Sequence, residues 1–195
     1  MQEYSIAEYG SLNTEQKEQA IEIFIEGFCH MMTFSKDKDV LKALFKSGFD
    51  NSLFVCYIEG EKVLGIMGLA TNKVRPLKFE HDICVSLFGK MKGKILCKQM
   101  NTIFQKAVVK GERELYIDIL ATAGNARGKG VATALLAYAF ELQEYDLCYI
   151  EVFSKNITAA RLYEKLGFYV YKKEIFSPMC FLGSGYPILM RKELK

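Results

Sequence analysis

The sequence predicts an α/β fold in which helices pack against a mixed sheet. Two observations support this: strands and helices alternate with short connections through the second half of the chain, and an antiparallel hairpin precedes them. With 195 residues, half of them hydrophobic and only three of them proline, the chain is long enough for one substantial core and short for two. We therefore expect residues 1–195 to form a single domain.

The first half of the chain predicts two helices and a hairpin. Asn13 and Gln16 have the spacing of a capped helix start, and apolar residues recur after them at helical intervals. This pattern predicts a helix over residues 14–29. The other elements predicted before residue 80 are a helix over 37–46 and antiparallel strands over 53–58 and 63–70, joined by a turn over 59–62.

The second half predicts alternating helices and strands. Residues 83–109 follow a helical pattern that we expect to be broken near Gly93. The predicted apolar face of this segment comprises Leu96, Met100, Ile103, Phe104 and Ala107. The later elements predicted are helices over 131–142 and 158–166, the second ended by Gly167, and strands over 115–122, 147–153, 168–176 and 185–190.

Charge is concentrated in the middle of the chain. The net charge is +3, yet between Asp82 and Glu112 there are six lysines and no acidic residue. Such a segment could attract a phosphate-bearing or acidic partner, or form a solvated helix face, and we favour the solvated face. Because no arginine or aromatic residues interleave with the lysines in the manner of a nucleic-acid reader, we expect no nucleic-acid partner.

Several classes of protein are disfavoured. The longest apolar run, over residues 131–140, is well short of the roughly 20 residues that span a bilayer, and the amino terminus lacks the features of a secretory signal. We therefore expect a cytoplasmic protein with no membrane partner. The six cysteines are widely spaced and only two histidines are present, which predicts reduced, mostly buried thiols and no metal site.

Residues 120–133 run from a predicted strand through a glycine-rich turn into a helix. Such a turn presents unpaired backbone N–H groups to an anion, and the helix dipole adds to the attraction for phosphate. A P-loop does not fit, since Ala123 and Gly130 stand where glycine and Ser or Thr are required. A dinucleotide-binding fingerprint with Glu151 as its acid fits incompletely, since Thr133 occupies the third small position. An Arg/Gln-x-x-Gly-x-Gly/Ala pattern is met in full.

Two motifs in succession carry a family resemblance. The first runs from Arg127 to Ala132, and the second, Asn-x-x-Ala-x-x-x-Tyr-x-x-x-Gly-Phe, runs from Asn156 to Phe168. Over residues 115–170 the chain resembles the GNAT superfamily of acyl-coenzyme A-dependent N-acyltransferases. The resemblance implies a mostly antiparallel sheet of about six to seven strands, flanked by helices and splayed between the fourth and fifth strands.

The resemblance also implies a donor site for acetyl-coenzyme A that needs no metal. The backbone of the turn would hold the pyrophosphate, and the strand before it would pair with the pantetheine arm. The N–H of Leu120 would polarise the thioester carbonyl, a role for which comparable donors are worth about 3 to 4 kcal/mol. The implied cofactor-binding residues are Leu120, Thr122, Arg127, Gly128, Lys129, Gly130, Val131, Ala132, Thr133, Asn156 and Tyr163.

The proton-transfer residues are less sharply defined. Tyr163 matches the family's candidate general acid, although a tyrosine at this position could also only cover apolar surface. Asp118 shares a strand face with Tyr116 and is our candidate general base, with Glu114 and Glu151 in reserve. Because the ordinary pKa of aspartate, about 3.9, makes it a weak base, Asp118 would need burial or a water chain to solvent.

Asn156 could be a helix N-cap, a cofactor contact or both. The segment expected to border the acceptor pocket is unusually apolar, and either core packing or a pocket for an apolar or aromatic amine would explain it. Its residues are Phe24, Phe28, Cys29, His30, Met31, Met32 and Phe34.

The predicted function is transfer of an acetyl group from acetyl-coenzyme A to a primary amine, by direct attack in a ternary complex. The acceptor would be a small molecule or a peptide, and the protein a monomer or homodimer. Two alternatives stay open: a catalytically inactive coenzyme A-binding regulatory domain, and a transferase of a longer acyl group.

Overall fold

The computed structural model describes residues 3–177 and 183–195 and contains seven strands and six α-helices in that part of the chain. In chain order the strands are β1 (Tyr4–Glu8), β2 (Phe54–Glu59), β3 (Lys62–Ala70), β4 (Glu114–Thr122), β5 (Leu147–Phe153), β6 (Tyr169–Lys173) and β7 (Pro187–Glu193). The helices are α1 (Thr14–Phe28), α2 (Lys38–Gly48), α3 (His81–Phe88), α4 (Lys90–Phe104), α5 (Val131–Phe140) and α6 (Ile157–Lys165).

The strands form one mixed sheet in the order β1-β2-β3-β4-β5-β7-β6. All neighbouring pairs are antiparallel except β4 and β5, which are parallel. The predicted sheet of six to seven mostly antiparallel strands is confirmed. Strand β1, at one edge of the sheet, was not predicted; most of its residues are exposed, so its burial pattern gives little alternation.

The fourth and fifth strands part halfway along their length. Pairing between β4 and β5 runs only from Glu114 opposite Leu147 to Ile117 opposite Ile150, although both strands continue beyond these residues. The predicted splay is thus confirmed. The ends of the two strands enclose a cleft whose β4 edge has no strand partner.

A bulge in β4 lies at the point where the strands part. Opposite β3, Gly68 pairs with Ile119 and Leu69 pairs with Ile117, so Asp118 is the additional residue. Before the bulge, Ile117 packs in the core beneath α5 and α6; after it, Ile119 packs in the core beneath α1 to α4. The bulge therefore changes which side chains of β4 face each layer of helices.

The first two helices begin where the sequence indicates. Asn13 and Gln16 form the predicted capping box at α1, with the Asn13 side chain accepting from the Gln16 amide. Asp37 caps α2 by accepting from the amides of Asp39 and Val40. The later predictions are right in type and differ at their ends: α5 stops at Phe140, β6 stops at Lys173, and β7 begins at Pro187.

The helical segment predicted over 83–109 is broken at Gly89 rather than near Gly93. Gly89 has a φ of 81° and separates α3 from α4, whereas Gly93 lies inside α4 against α3. The helix also ends at Phe104, which leaves Ala107 outside it, and Ile103 is 65% exposed rather than part of the buried face. The predicted break and the predicted face were therefore wrong in these details.

The reason for glycine at position 93 is close helix packing. An added Cβ would lie 2.3 Å from the Cys84 carbonyl oxygen and 2.7 Å from the Val85 Cα, both backbone atoms. We expect Gly93→Ala to lower the free energy of unfolding by about 2 kcal/mol, as overpacked sites do. Urea unfolding would measure this, with Gly124→Ala as the control because a Cβ there meets no atom within 4 Å. An unchanged midpoint would show that α3 and α4 move apart freely.

Candidate active site

The glycine-rich turn forms an open cradle of backbone amides at the start of α5. Gly128 and Gly130 have φ angles of 76° and 88°, values that disfavour other residues, and Gly130 is the N-cap of α5 without a side-chain cap. Among the described residues, no acceptor bonds the amides of Gly128, Gly130 or the first-turn residues Val131, Ala132 and Thr133. These donors and the positive end of the helix dipole can hold an anion.

The cradle is fixed by packing and flanked by cations. On the buried face of α5, Val131, Leu135, Leu136 and Ala139 pack into the core. Arg127 and Lys129 are exposed, and neither takes part in an ion pair within the described part of the chain. Thr133 is also exposed on the first turn, so its hydroxyl is accessible. The turn therefore offers both amides and positive charge to a phosphate-bearing ligand.

The free edge of β4 leads from this cradle into the cleft. The amide of Ala123 donates to the Leu64 carbonyl at 2.9 Å, toward β3. Because N–H groups alternate in direction along a strand, those of Leu120 and Thr122 point to the opposite edge, toward the cleft. Both predicted residues thus present donors where β5 has already parted from β4.

The second motif places one residue at a helix start and one in the core. Asn156 caps α6, its Oδ1 accepting from the Ala159 amide at 3.2 Å, so the capping role is established. The Tyr163 side chain is buried and packs against Phe168, with ring centroids 6.0 Å apart. Burial raises the pKa of Tyr163 to about 12, so its hydroxyl keeps its proton at neutral pH.

Asp118 is held in a buried ion pair. Its Oδ2 accepts from Arg75 Nε at 2.8 Å and its Oδ1 from Arg75 Nη2 at 2.5 Å. Burial raises the pKa of Asp118 above its usual value, and the hydrogen bonds from Arg75 oppose that rise. The guanidinium also lies over the Tyr116 ring, 5.6 Å from its centroid, so one cation contacts both Tyr116 and Asp118.

The two reserve carboxylates differ in their environment. Glu114 accepts from the amides of Lys110 and Gly111; although burial acts in the opposite direction, these bonds keep its pKa below the ordinary value. Glu151, the first β5 residue beyond the last β4 pair, accepts no hydrogen bond from the described residues. Glu151 is exposed as a residue, yet neighbouring protein atoms partly desolvate its carboxylate; this desolvation, and then the charges of Glu174 and Asp118, raise the pKa of Glu151 to about 6.

A groove opens between the end of α1 and the end of β5, and its lining begins on β5 at Phe153. Its volume is about 370 Å³. Phe153, two residues beyond Glu151 and so on the same strand face, forms one wall. The lining residues are Gly27, Phe28, His30, Met31, Phe153, Lys155, Asn156 and Ser184.

The predicted apolar segment divides between this groove and the core. Phe28, His30 and Met31 line the groove, whereas Phe24 and Met32 are buried. Phe34 packs against Phe88, with ring centroids 6.0 Å apart, and Cys29 is exposed. Core packing therefore explains part of the segment, and three of its other residues line the groove.

Five of the six cysteines lie within the described residues. Cys29, Cys56, Cys84, Cys97 and Cys148 are free, and all but Cys29 are buried; Cys180 lies outside the described residues. Within residues 3–177 and 183–195, no group of three or more His, Cys, Asp or Glu side chains is arranged to hold a metal ion. In the same ranges, no helix combines the length and apolarity that a membrane span requires.

Comparison with known proteins assigns the family. The model of the acetyltransferase (GNAT) family matches residues 19–168, most of the chain. The chain belongs to the GNAT acetyltransferase family. The match includes both the amide cradle and α6, so the two motifs of this GNAT chain lie within it.

Solved structures agree on the fold of this GNAT domain. An N-acetyltransferase from Staphylococcus aureus Mu50 is 18% identical, covers 96% of this chain and 99% of its own, and has a TM-score of 0.64. Ard1 from Thermoplasma volcanium is 16% identical, with 97% of each chain covered and a TM-score of 0.57. At these identities the likeness concerns the fold alone. A search of curated proteins finds no matching relative.

The sequence missed one residue of this site. Arg75 is 43 positions from Asp118, and nothing in the local pattern around either residue indicates the pair. A buried aspartate on a strand requires a positive partner, but the chain has five arginines and many lysines that could supply it. The fold brings Arg75 to Asp118, because it places the loop after β3 beside the bulge of β4.

Proposed function

We propose that this GNAT protein transfers an acetyl group from acetyl-coenzyme A to a primary amine, by direct attack in a ternary complex. The observation that carries the proposal is the cradle of free amides at Gly128 and at residues 130–133, which continues into the unpaired edge of β4 beside the splay. The cradle suits a pyrophosphate, and the strand edge suits the amide groups of a pantetheine arm.

The chemistry can be assigned to groups around the cleft. The amine nitrogen attacks the acyl carbon, a C–N bond forms and the C–S bond breaks. The attacking amine loses a proton to a carboxylate, and the leaving thiolate gains one from the Tyr163 hydroxyl. The Leu120 N–H stabilises the carbonyl oxygen as negative charge develops on it. Tyr163 retains its proton until the thiolate forms, which its raised pKa favours.

We assign the role of general base to Glu151 rather than to Asp118. Both Asp118 oxygens are occupied by Arg75, whereas the Glu151 carboxylate receives no hydrogen bond from the described residues and is exposed. A pKa of about 6 also makes Glu151 a stronger base than an ordinary carboxylate, yet leaves it ionised at neutral pH.

The acceptor is an amine with an apolar portion next to its nitrogen. The groove that begins at Phe153, two residues beyond Glu151, has aromatic and thioether walls from Phe28, Met31 and Phe153. An amine directed toward Glu151 would place its substituent against these walls. Small aromatic or alkyl amines and peptides with an apolar first residue meet this requirement.

Thiol release and calorimetry together test the proposal. We expect thiol release from acetyl-coenzyme A with apolar amines, and binding of coenzyme A that weakens about tenfold in Arg127→Ala/Lys129→Ala, because two charged phosphate contacts are lost. Lys94→Ala/Lys98→Ala, with equally exposed cations on α4, is the control and should bind normally.

Three other outcomes would contradict the proposal. Binding without thiol release across charged, polar and apolar amines would indicate an inactive coenzyme A-binding domain. Faster release from longer acyl thioesters would indicate a different donor. Absence of any binding heat would remove the assignment of the cradle.

A further inference from the structure

We infer that Arg75 is a positioning residue of this site: it holds Asp118 at the bulge of β4 in a permanent ion pair and so leaves Glu151, of the two carboxylates where the strands part, free to exchange a proton. The inference rests on the proposed function, and it concerns a residue outside both sequence motifs.

The ion pair is buried and bidentate. Only 9% of the Arg75 side chain and 6% of the Asp118 side chain are exposed. The parallel bonds from Nε and Nη2 fit the two carboxylate oxygens, a geometry that lysine cannot reproduce. Stacking over Tyr116 covers one face of the guanidinium. Asp118 is therefore bound as an anion and cannot swing into the cleft.

Arg75 also connects the site to α4. Its Nη1 donates to the carbonyl of Lys106 at 2.7 Å and to that of Ile103 at 3.4 Å, at and just beyond the end of the helix. The arginine thus joins three segments: the loop after β3, the end of α4 and the bulge of β4. Movement of any of them would disturb Asp118.

The register places Asp118 and Glu151 at equivalent positions. The last β4 and β5 pair is Ile117 with Ile150, and Asp118 and Glu151 are the next residue on each strand. Two carboxylates where the strands part would share a proton if neither had a partner. The Arg75 guanidinium pairs with Asp118. Asp118 is therefore held in the ion pair, and Glu151 is left to transfer a proton.

Four groups set the charge that faces Glu151. Glu174, after β6, and Asp118, on β4, both raise its pKa, whereas Arg75 lowers it. The fourth, Tyr116 on β4, is neutral, because burial and then the charges of Asp118 and Glu151 raise its pKa well above the ordinary value. Changes to Arg75 and to Asp118 must therefore act on Glu151 in opposite directions.

The test is the pH dependence of kcat/KM for the amine in the full-length protein. Asp118→Asn removes a negative charge and leaves the arginine, so we expect the midpoint of the acidic limb to fall by about one pH unit. Arg75→Met forces the carboxylates to share a proton, so the midpoint should rise by about as much. The double variant Arg75→Met/Asp118→Asn should return it close to the wild-type value.

A matched ion pair provides the control. Arg113 and Asp146 form the same bidentate contact, at 2.6 and 2.8 Å, on the exposed side of the start of β4. Arg113→Met should leave the midpoint unchanged. Arg75→Lys keeps the positive charge but cannot donate two parallel hydrogen bonds to the carboxylate. It should lower kcat and shift the midpoint of the acidic limb less than Arg75→Met does.

The outcomes separate this inference from the proposed function. Coenzyme A binding should be normal in every variant; if the wild type neither binds nor reacts, the proposed function fails. If the wild type reacts and the single variants lose rate with an unmoved midpoint, Arg75 and Asp118 are merely structural and the inference is wrong. Should Arg75→Met fail to fold, carbon-13 NMR titration of the Glu151 carboxyl in Asp118→Asn decides the matter, since an unchanged pKa overturns the inference.

Discussion

Replacing Glu151 with glutamine is expected to lower kcat/KM for the amine at pH 7.5 by about 10²-fold to 10⁴-fold, the usual contribution of a general base. Glutamine keeps the shape of the side chain but cannot accept the proton. In the wild type, the rate should rise as pH passes the Glu151 pKa of about 6 and then level off, because the base acts only when ionised. The pH profile of the Glu151→Gln variant should lack this rise in rate.

The same variant should be more stable than the wild type. The pKa of Glu151 is raised from 4.5 to about 6 in the folded protein, so ionisation is less favourable there than in the unfolded chain. This loss of folding stability is absent below about pH 4.5, develops between about pH 4.5 and about pH 6, and is complete above about pH 6. We therefore expect Glu151→Gln to raise Tm at pH 7.5 and to leave it unchanged at pH 4.

Glu61→Gln is the control for both measurements, since Glu61 is an exposed carboxylate in the turn between β2 and β3. It should change neither the rate nor Tm. A Glu151→Gln variant that retains the acidic limb with a midpoint near 6 would show that another group is the base. Asp118 and Glu114 would then be examined in turn.

The cradle was predictable because its determinants are local. Gly128 and Gly130 permit the positive φ angles, and the apolar stripe of α5 follows within a few residues. Position 93 shows the limit of the same reasoning. Gly89 and Gly93 both interrupt a helical pattern, and the local sequence does not say which one breaks the helix and which one faces a neighbouring helix.

The arrangement of the carboxylates was beyond local patterns. Asp118, Glu114 and Glu151 were all recognised as candidates, but their ranking depends on which of them finds a partner. That depends on the β4 bulge and on Arg75, whose contact with Asp118 joins residues 43 positions apart. A bulge changes the register by one residue, and the sequence of β4 alone does not show where it lies.

Substitution of Gly65 is expected to impair both stability and cofactor binding. Gly65 lies in β3 beneath the start of α5, and an added Cβ would lie 2.4 Å from Val131 Cγ1 and 3.2 Å from the Ala121 carbonyl oxygen. The first turn of α5 must then move away from the sheet, together with the amides of the cradle. We expect Gly65→Ala to cost about 3 kcal/mol of stability and to weaken coenzyme A binding at least tenfold.

A second substitution tests whether this contact is the cause. Val131→Ala removes the clashing Cγ1 but keeps the backbone amide, so Gly65→Ala/Val131→Ala should regain most of the binding that calorimetry finds lost in Gly65→Ala. Gly124→Ala, in the loop that leads to the cradle, should bind coenzyme A normally, because an added Cβ there meets no atom within 4 Å. If Gly65→Ala binds as tightly as the wild type, the contact with β3 does not set the position of the cradle. If the double variant stays as weak as Gly65→Ala, Leu135 Cδ1, at 3.1 Å, or the Ala121 carbonyl oxygen, at 3.2 Å, is the obstacle instead of Val131.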